Sequence, residues 1–232
     1  MSASGAPTLR ASDAGALSAS DDSAMSASST SARDDIMASI RASLPEPPRE
    51  LPVVPMFDDM PHPALEEWFK DSLEKMGGEW LDRPASGDSL APVHAMIAGA
   101  KVVVSMAPEM PGTRPIGSPT DPHSLADVDY AVVRCAFAVA ETGSVCFTEA
   151  ELGTNALGYL PQHLIVLLDP RDIVLNIHHA YRRPELKRAH YATFHTGPSA
   201  TADIEGVLIH GAQGVRSLSV LLHPRGAAPA SG

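Results

Sequence analysis

Two short stretches carry the residue types that could do chemistry. The first is Gly197-Pro-Ser-Ala-Thr-Ala-Asp-Ile-Glu205, entered from the extended Tyr191-Ala-Thr-Phe-His-Thr196. A strand, a tight loop and a small-residue helix are predicted here, with acidic residues in the helix's first turn. Unpartnered N–H groups and aligned peptide dipoles at such a helix start would hold a carboxylate or a phosphate. Ser199 or Thr201 would equally well cap those donors, and Asp203 and Glu205 put negative charge where an anion would sit, so an anion site and a capped turn both stay open. The second stretch is Ala140-Glu-Thr-Gly-Ser144, a turn between strands. Hemmed by small residues, Glu141 would be open to a ligand yet partly shielded from water. Shielding raises a carboxyl pKa and suits acid–base or nucleophilic work; the alternative is a structural carboxylate that bonds turn amides. No G-x-S-x-G elbow, Walker A loop or G-x-G-x-x-G fingerprint occurs. The ten histidines show no H-x-x-x-H or H-E-x-x-H spacing. A metal site could be assembled only from distant His163, His195 and His210, each of which is equally a hydrogen-bonded histidine, and no metal is expected.

The elements that must position these stretches alternate between strand and helix. Lys101-Val-Val-Val-Ser105, Asp127 to Ala140, Val145 to Thr148, Leu160 to Leu168 and Ser217 to Leu222 read as strands, several as continuous apolar runs of the kind buried on both faces of a sheet. Ser89 to Ile97 and Asp169 to Tyr181 read as helices, the latter with Pro170 in its first turn. Pro63 to Met76 is the clearest helix, with Leu65, Trp68, Phe69, Leu73 and Met76 on one face and glycines at its end. The order describes an α/β domain with a mostly parallel sheet covered by helices.

Upstream, residues 1–33 are rich in Ser, Ala, Asp and Gly and are expected to be a disordered tail. A short amphipathic helix follows over 34–44, then a proline-rich linker from Pro45 to Pro63, so 34–80 forms a helical lead-in to a sheet core over 100–222. Residues 223–232 read as a C-terminal tail.

Composition narrows the function classes. With 28 acidic against 17 basic residues and a net charge of −11, a nucleic-acid or anionic-membrane partner is not expected. No apolar run approaches the roughly 20 residues of a membrane span, and the start Met1-Ser-Ala-Ser-Gly-Ala-Pro shows no signal peptide, so a cytoplasmic location is expected. The two cysteines, Cys135 and Cys146, read as buried thiols and are too few to ligate an iron–sulfur cluster or zinc.

Gly197-Pro-Ser-Ala-Thr-Ala-Asp-Ile-Glu205, followed by Gly211-Ala-Gln-Gly-Val-Arg-Ser-Leu-Ser-Val220, resembles the C-terminal signature of the LUD domain family, the lactate utilisation proteins of the LutC/YkgG type. The family usually reads G-P-S-[RK]-T-A-D-I-E and then G-x-H-G-x-R-S-L. This chain departs from it at Ala200 and at Gln213, which puts the ligand's identity in question. The resemblance spans about residues 34–222 and implies a NagB/RpiA/CoA-transferase-like fold with an N-terminal helical segment, in which the Glu141-Thr-Gly-Ser144 turn lies beside the G-P-S loop. It implies a ligand site for a small anion, lactate-like carboxylate or phosphate, drawn from Thr142, Gly143, Ser144, Gly197, Pro198, Ser199, Thr201, Asp203, Glu205, Gly211, Gly214 and Arg216. By the same resemblance the chain is a non-redox accessory subunit or small-carboxylate-binding partner of an iron–sulfur L-lactate-oxidising system. The clusters then sit only in partner subunits, with no cofactor in this chain. Ala140-Glu-Thr-Gly143 is also similar to the S-E-N-G turn whose glutamate is the nucleophile of CoA-transferases, so a stand-alone enzyme using Glu141 is the alternative, beside a non-catalytic anion sensor.

Overall fold

The computed structural model describes residues 21–45, 49–117, 121–204 and 206–226, with side chains from residue 32 onward. In chain order the elements are α1 (Asp21–Ala42), α2 (Leu65–Lys75), β1 (Glu79–Leu81), α3 (Ala91–Ile97), β2 (Val103–Ser105), β3 (Tyr130–Arg134), β4 (Phe137–Val139) and β5 (Ser144–Thr148). There follow α4 (Glu149–Leu152), β6 (His163–Leu168), β7 (Ile173–Val174), α5 (Ile177–Ala180), α6 (Pro184–Arg188), β8 (Ala192–His195), β9 (Ala200–Thr201), β10 (Ile209–His210) and β11 (Ser217–Leu222). The chain divides into two units, Met1–Val54 and Pro55–Gly232.

In the first unit, α1 starts at Asp21, earlier than the tail expected through residue 33 allows; residues 1–20 of that tail lie outside the described residues. No glycine or proline interrupts Asp21–Ala42, and alanine, the best helix former, recurs along it, which is enough to carry a helix without an apolar stripe. Ile36, Ile40 and Leu44 are exposed.

The second unit is built on a five-stranded, all-parallel sheet in the order β1-β11-β6-β3-β2. Alternate residues of a strand face opposite sides. Leu164, Val166 and Leu168 of β6 join one core with Phe69 and Leu73 of α2, whereas Ile165 and Leu167 join a second core with Val93 of α3. One helix therefore covers each face, which is why the central strands read as unbroken apolar runs. The sheet reaches outside the expected 100–222 core, because Glu79–Leu81 adds an edge strand and β11 lies inside it. Three residues are too few to show a strand period in sequence.

A second sheet, β7-β4-β5-β8, stands apart from the first and is mixed, parallel between β4 and β7 and antiparallel elsewhere. It corrects the single helix expected over Asp169 to Tyr181: Pro170–Asp172 make one 3-10 turn, Ile173–Val174 pair with β4, and Asn176 then caps the short α5 by accepting from the His178 and His179 amides. The C-terminal tail is also shorter than expected. His223 is buried, its amide donates to Leu168 O at 2.8 Å, and the Arg225 guanidinium pairs with Asp172; residues 227–232 lie outside the described residues.

Candidate functional site

The glutamate turn and the G-P-S loop meet at the C-terminal half of α2. Gly143, in the turn between β4 and β5, has φ +66°, and a Cβ there would overlap the Leu73 amide nitrogen. Gly197, just after β8, has φ +74°, and a Cβ there would overlap the Met76 carbonyl oxygen. Both loops press backbone to backbone on the helix, in a conformation that L side chains avoid. A chain of hydroxyls joins them: Thr142 Oγ1 lies 2.7 Å from Ser144 Oγ, which lies 2.6 Å from Thr196 Oγ1. The helix adds the Ser72 hydroxyl, which donates to the Glu141 carbonyl oxygen at 3.3 Å.

Three clefts run in a row around this junction. The middle one, of about 400 Å³, is lined by Ser72, Lys75, Glu141, Thr142, Ser144 and Thr196. Its Lys75 ammonium is 2.5 Å from Asp71 on the helix surface. Glu141 is shared with a larger cleft of about 650 Å³, walled by Phe57, Met60, His62, Trp68, Leu175 and His178. Phe57 and His178 rings meet at 4.8 Å and His62 stacks on Trp68 at 5.7 Å. The segment that brings Phe57 there is tied down by Asn176 Nδ2, which donates to the Met56 and Phe57 carbonyls.

On the other side Thr196 is shared with a cleft of about 240 Å³, lined by Tyr159, Thr193, His195, Ser199, Gln213 and Gly214 among others. His195 is buried there, its ring perpendicular to that of Phe147 with centroids 5.2 Å apart, and its Nε2 has no hydrogen-bond partner among the described residues. Burial lowers its pKa to about 4, so the imidazole is neutral at neutral pH. Tyr159 Oη lies 2.7 Å from Tyr191 Oη and donates to Thr193 Oγ1 at 2.9 Å. Burial, followed by the bond to Tyr159, pushes the Tyr191 phenol up to about 12.

The expected site residues divide between these places. Glu141, Thr142 and Ser144 line the middle cleft, Gly143 packs on α2, and Gly197, Pro198, Ser199 and Gly214 line the smallest cleft. Glu141 is exposed, not shielded; its Oε2 accepts from the Ile177 amide at 3.3 Å. Among the described residues no helix follows the G-P-S loop, so the helix start expected to hold an anion is not formed there. The Ser199 amide donates to Val215 O, its carbonyl accepts from the Gly211 amide, and Ala200–Thr201 then pair with Ile209–His210 as a hairpin. Thr201 and Asp203 sit in that hairpin, joined by the Asp203 amide donating to Thr201 Oγ1, and line none of the three clefts. Glu205 lies outside the described residues. Gly211 packs over the stem of Arg216, and Arg216 lines a separate cleft with Lys101 and His163. Lys75, Ser72 and Thr196 were not singled out from sequence, and His195 was named only as a possible metal ligand. The first two carry no local signal, while Thr196 and His195 sit in the stretch leading to Gly197.

His163, His195 and His210 do not converge, and no group of three His, Cys, Asp or Glu side chains among the described residues could hold a metal ion. Cys135 and Cys146 are free and buried; burial raises both thiol pKa values, that of Cys146 to about 12. Among the described residues no helix is long and apolar enough to cross a membrane.

Comparison with known proteins agrees with this architecture. A solved DUF162 family protein from Deinococcus radiodurans superposes with a TM-score of 0.55 at 17% identity, covering 68% of this chain and 95% of that one, a likeness of fold. The lactate utilization protein C of Deinococcus radiodurans is 26% identical over 184 residues, covering 75% of this chain and 87% of the relative. Residues 122–223, which run from the approach to β3 through the glutamate turn and the G-P-S loop to the end of β11, match the family model of the LUD domain. Over residues 122–223 the chain is thus similar to the LUD domain family, and over three quarters of its length to a lactate utilization protein C.

Proposed function

We propose that the chain is a LutC-like lactate utilisation protein that holds a small 2-hydroxy carboxylate in the middle cleft and serves as a non-redox partner of iron–sulfur lactate-oxidising subunits. The observation that carries this reading is the continuous hydroxyl chain Thr142–Ser144–Thr196, placed in one cleft with a single ammonium, Lys75, and a single carboxylate, Glu141. A hydroxy acid presents complementary groups. Its carboxylate takes hydroxyl donors and shares the Lys75 ammonium with Asp71, and its α-hydroxyl donates to Glu141. Lactate utilisation comes from the curated relative, and the non-redox role from the two cysteines, too few for a cluster, which leaves electron transfer to partner chains.

L-lactate titrated into the full chain by calorimetry tests the site. The Lys75→Met variant keeps the stem and loses the charge, and a lost charge-assisted bond of about 1.5–3 kcal/mol weakens binding at least about tenfold. Unchanged affinity in Lys75→Met, or no binding of L-lactate by the native chain, contradicts the reading.

One observation favours a second reading. The exposed Glu141 carboxylate lines both the polar cleft and the aromatic one, which has room for the apolar part of a larger acyl donor. In a CoA-transferase-like reaction this carboxylate would attack a thioester carbonyl, forming an acyl–glutamyl anhydride and releasing the CoA thiolate. Glu141→Gln then abolishes turnover of acyl-CoA thioesters; native turnover by that variant excludes it.

A further inference from the structure

A fourth cleft, of about 490 Å³, lies at the N-terminal edge of the parallel sheet and shares no residue with the three described above. Tyr130 and His163, the first residues of β3 and β6, meet there with Arg216, which immediately precedes β11, and Lys101, two residues ahead of β2. Two cations in one cleft are unusual for this chain, in which 28 acidic residues outnumber 17 basic ones. Lys70, Lys75, Arg114, Arg134, Arg171, Arg183 and Arg225 each take a carboxylate. The side chains of Lys101 and Arg216 take no hydrogen bond or ion pair among the described residues.

The single acidic residue of this cleft, Asp129, is held against the backbone of Lys101 and Val102, with the Lys101 charge also acting on it. Asp129 Oδ2 accepts from the Val102 amide at 2.9 Å and the Lys101 amide at 2.7 Å, and these bonds hold its carboxyl below the ordinary range. Arg216 is positioned by packing: a Cβ on Gly211 would overlap its Cγ, so the missing side chain of Gly211 makes the slot through which the arginine stem passes. His163 stacks on Tyr130 at 4.7 Å and its Nδ1 lies 2.8 Å from Ser217 Oγ. Burial and the neighbouring Arg216 hold its imidazole below its usual pKa, which keeps it neutral.

We propose that this cleft binds a phosphorylated small molecule, with the phosphate group between Lys101 and Arg216 and the remainder of the ligand along Gln162 and the stacked Tyr130–His163 pair. A phosphate monoester carries close to two negative charges at neutral pH and matches two cations, whereas a monocarboxylate such as lactate neutralises one. The guanidinium fork suits phosphate oxygens, the ammonium supplies a point charge, and the cleft has room for a sugar-sized body beyond the phosphate.

The test titrates inorganic phosphate into the full chain, with chloride holding ionic strength constant, and reads calorimetric heat together with the His163 ring signals by NMR. Saturable binding is expected, with the His163 pKa raised on saturation, because a bound anion favours the imidazolium. Affinity falls at least about tenfold in Lys101→Gln and again in Arg216→Gln. Both side chains are exposed, so both variants fold, and unchanged thermal midpoints verify it. A non-saturating response equal to that of chloride overturns the proposal, as does native phosphate affinity in Arg216→Gln. A His163 pKa that does not move on saturation also overturns it, by placing the phosphate elsewhere.

Discussion

Gly197→Ala separates the two reasons for glycine in the G-P-S loop. At φ +74° any L side chain costs about 1–2 kcal/mol from the left-handed backbone alone. A methyl at this position also falls on the Met76 carbonyl oxygen, a backbone atom that cannot rotate away, so the end of α2 or the loop must shift. Forced overpacking of this kind costs about 1–3 kcal/mol more. Gly87 supplies the control, with φ +85° and nothing within 4 Å of its ideal Cβ, so that Gly87→Ala pays only the backbone term. Urea unfolding followed by circular dichroism should place Gly197→Ala below Gly87→Ala by about 1–3 kcal/mol, or several degrees in thermal midpoint for a chain of this size. L-lactate affinity should fall with it, since Thr196 precedes the glycine and carries one of the three linked hydroxyls. Equal losses in the two variants would refute the packing of the loop against α2.

Two further outcomes follow from buried polar groups. Arg134 donates twice to Glu109 Oε1 and once to His223 O, so Arg134→Ala leaves a carboxylate only 22% exposed without its partner; a loss of about 3 kcal/mol in urea unfolding is expected, and a loss under 1 kcal/mol contradicts the pairing. His195, with its pKa lowered to about 4, takes up its proton in the unfolded state first, so its contribution is full above about pH 6.5 and is lost as the pH falls toward 4; stability measured over that window should be flatter in His195→Phe, and an unaltered slope refutes the assignment.

The sheet was legible because burial on both faces leaves a mark that needs no partner to read. Leu164 to Leu168 are apolar on both faces, Leu218 to Leu222 are so except at Ser219, and the α2 stripe of Phe69 and Leu73 shows which side of the helix turns inward. The glutamate turn and the G-P-S loop were legible as places where backbone geometry is special. The surroundings were not. After Ser199 the chain has the local look of a helix start, but its amide and carbonyl are taken by Val215 and Gly211, more than ten residues downstream, and the segment folds back as a hairpin. Gly214 and Arg216 stand two apart in sequence yet line different clefts, since the close fit of the Arg216 stem under Gly211 sets its direction. Lys75 looks like one more solvent-facing charge on an amphipathic helix until the two loops close around the end of that helix.

The measurement that bears most directly on the central claim is affinity purification of this chain from its native cells grown on L-lactate, with mass spectrometry and iron analysis of what is recovered. The account predicts cysteine-rich, iron-containing subunits in stoichiometric amounts, retained in Lys75→Met because ligand binding and docking are separate. Recovery of the chain alone, free of iron, would contradict its place beside an iron–sulfur lactate-oxidising system.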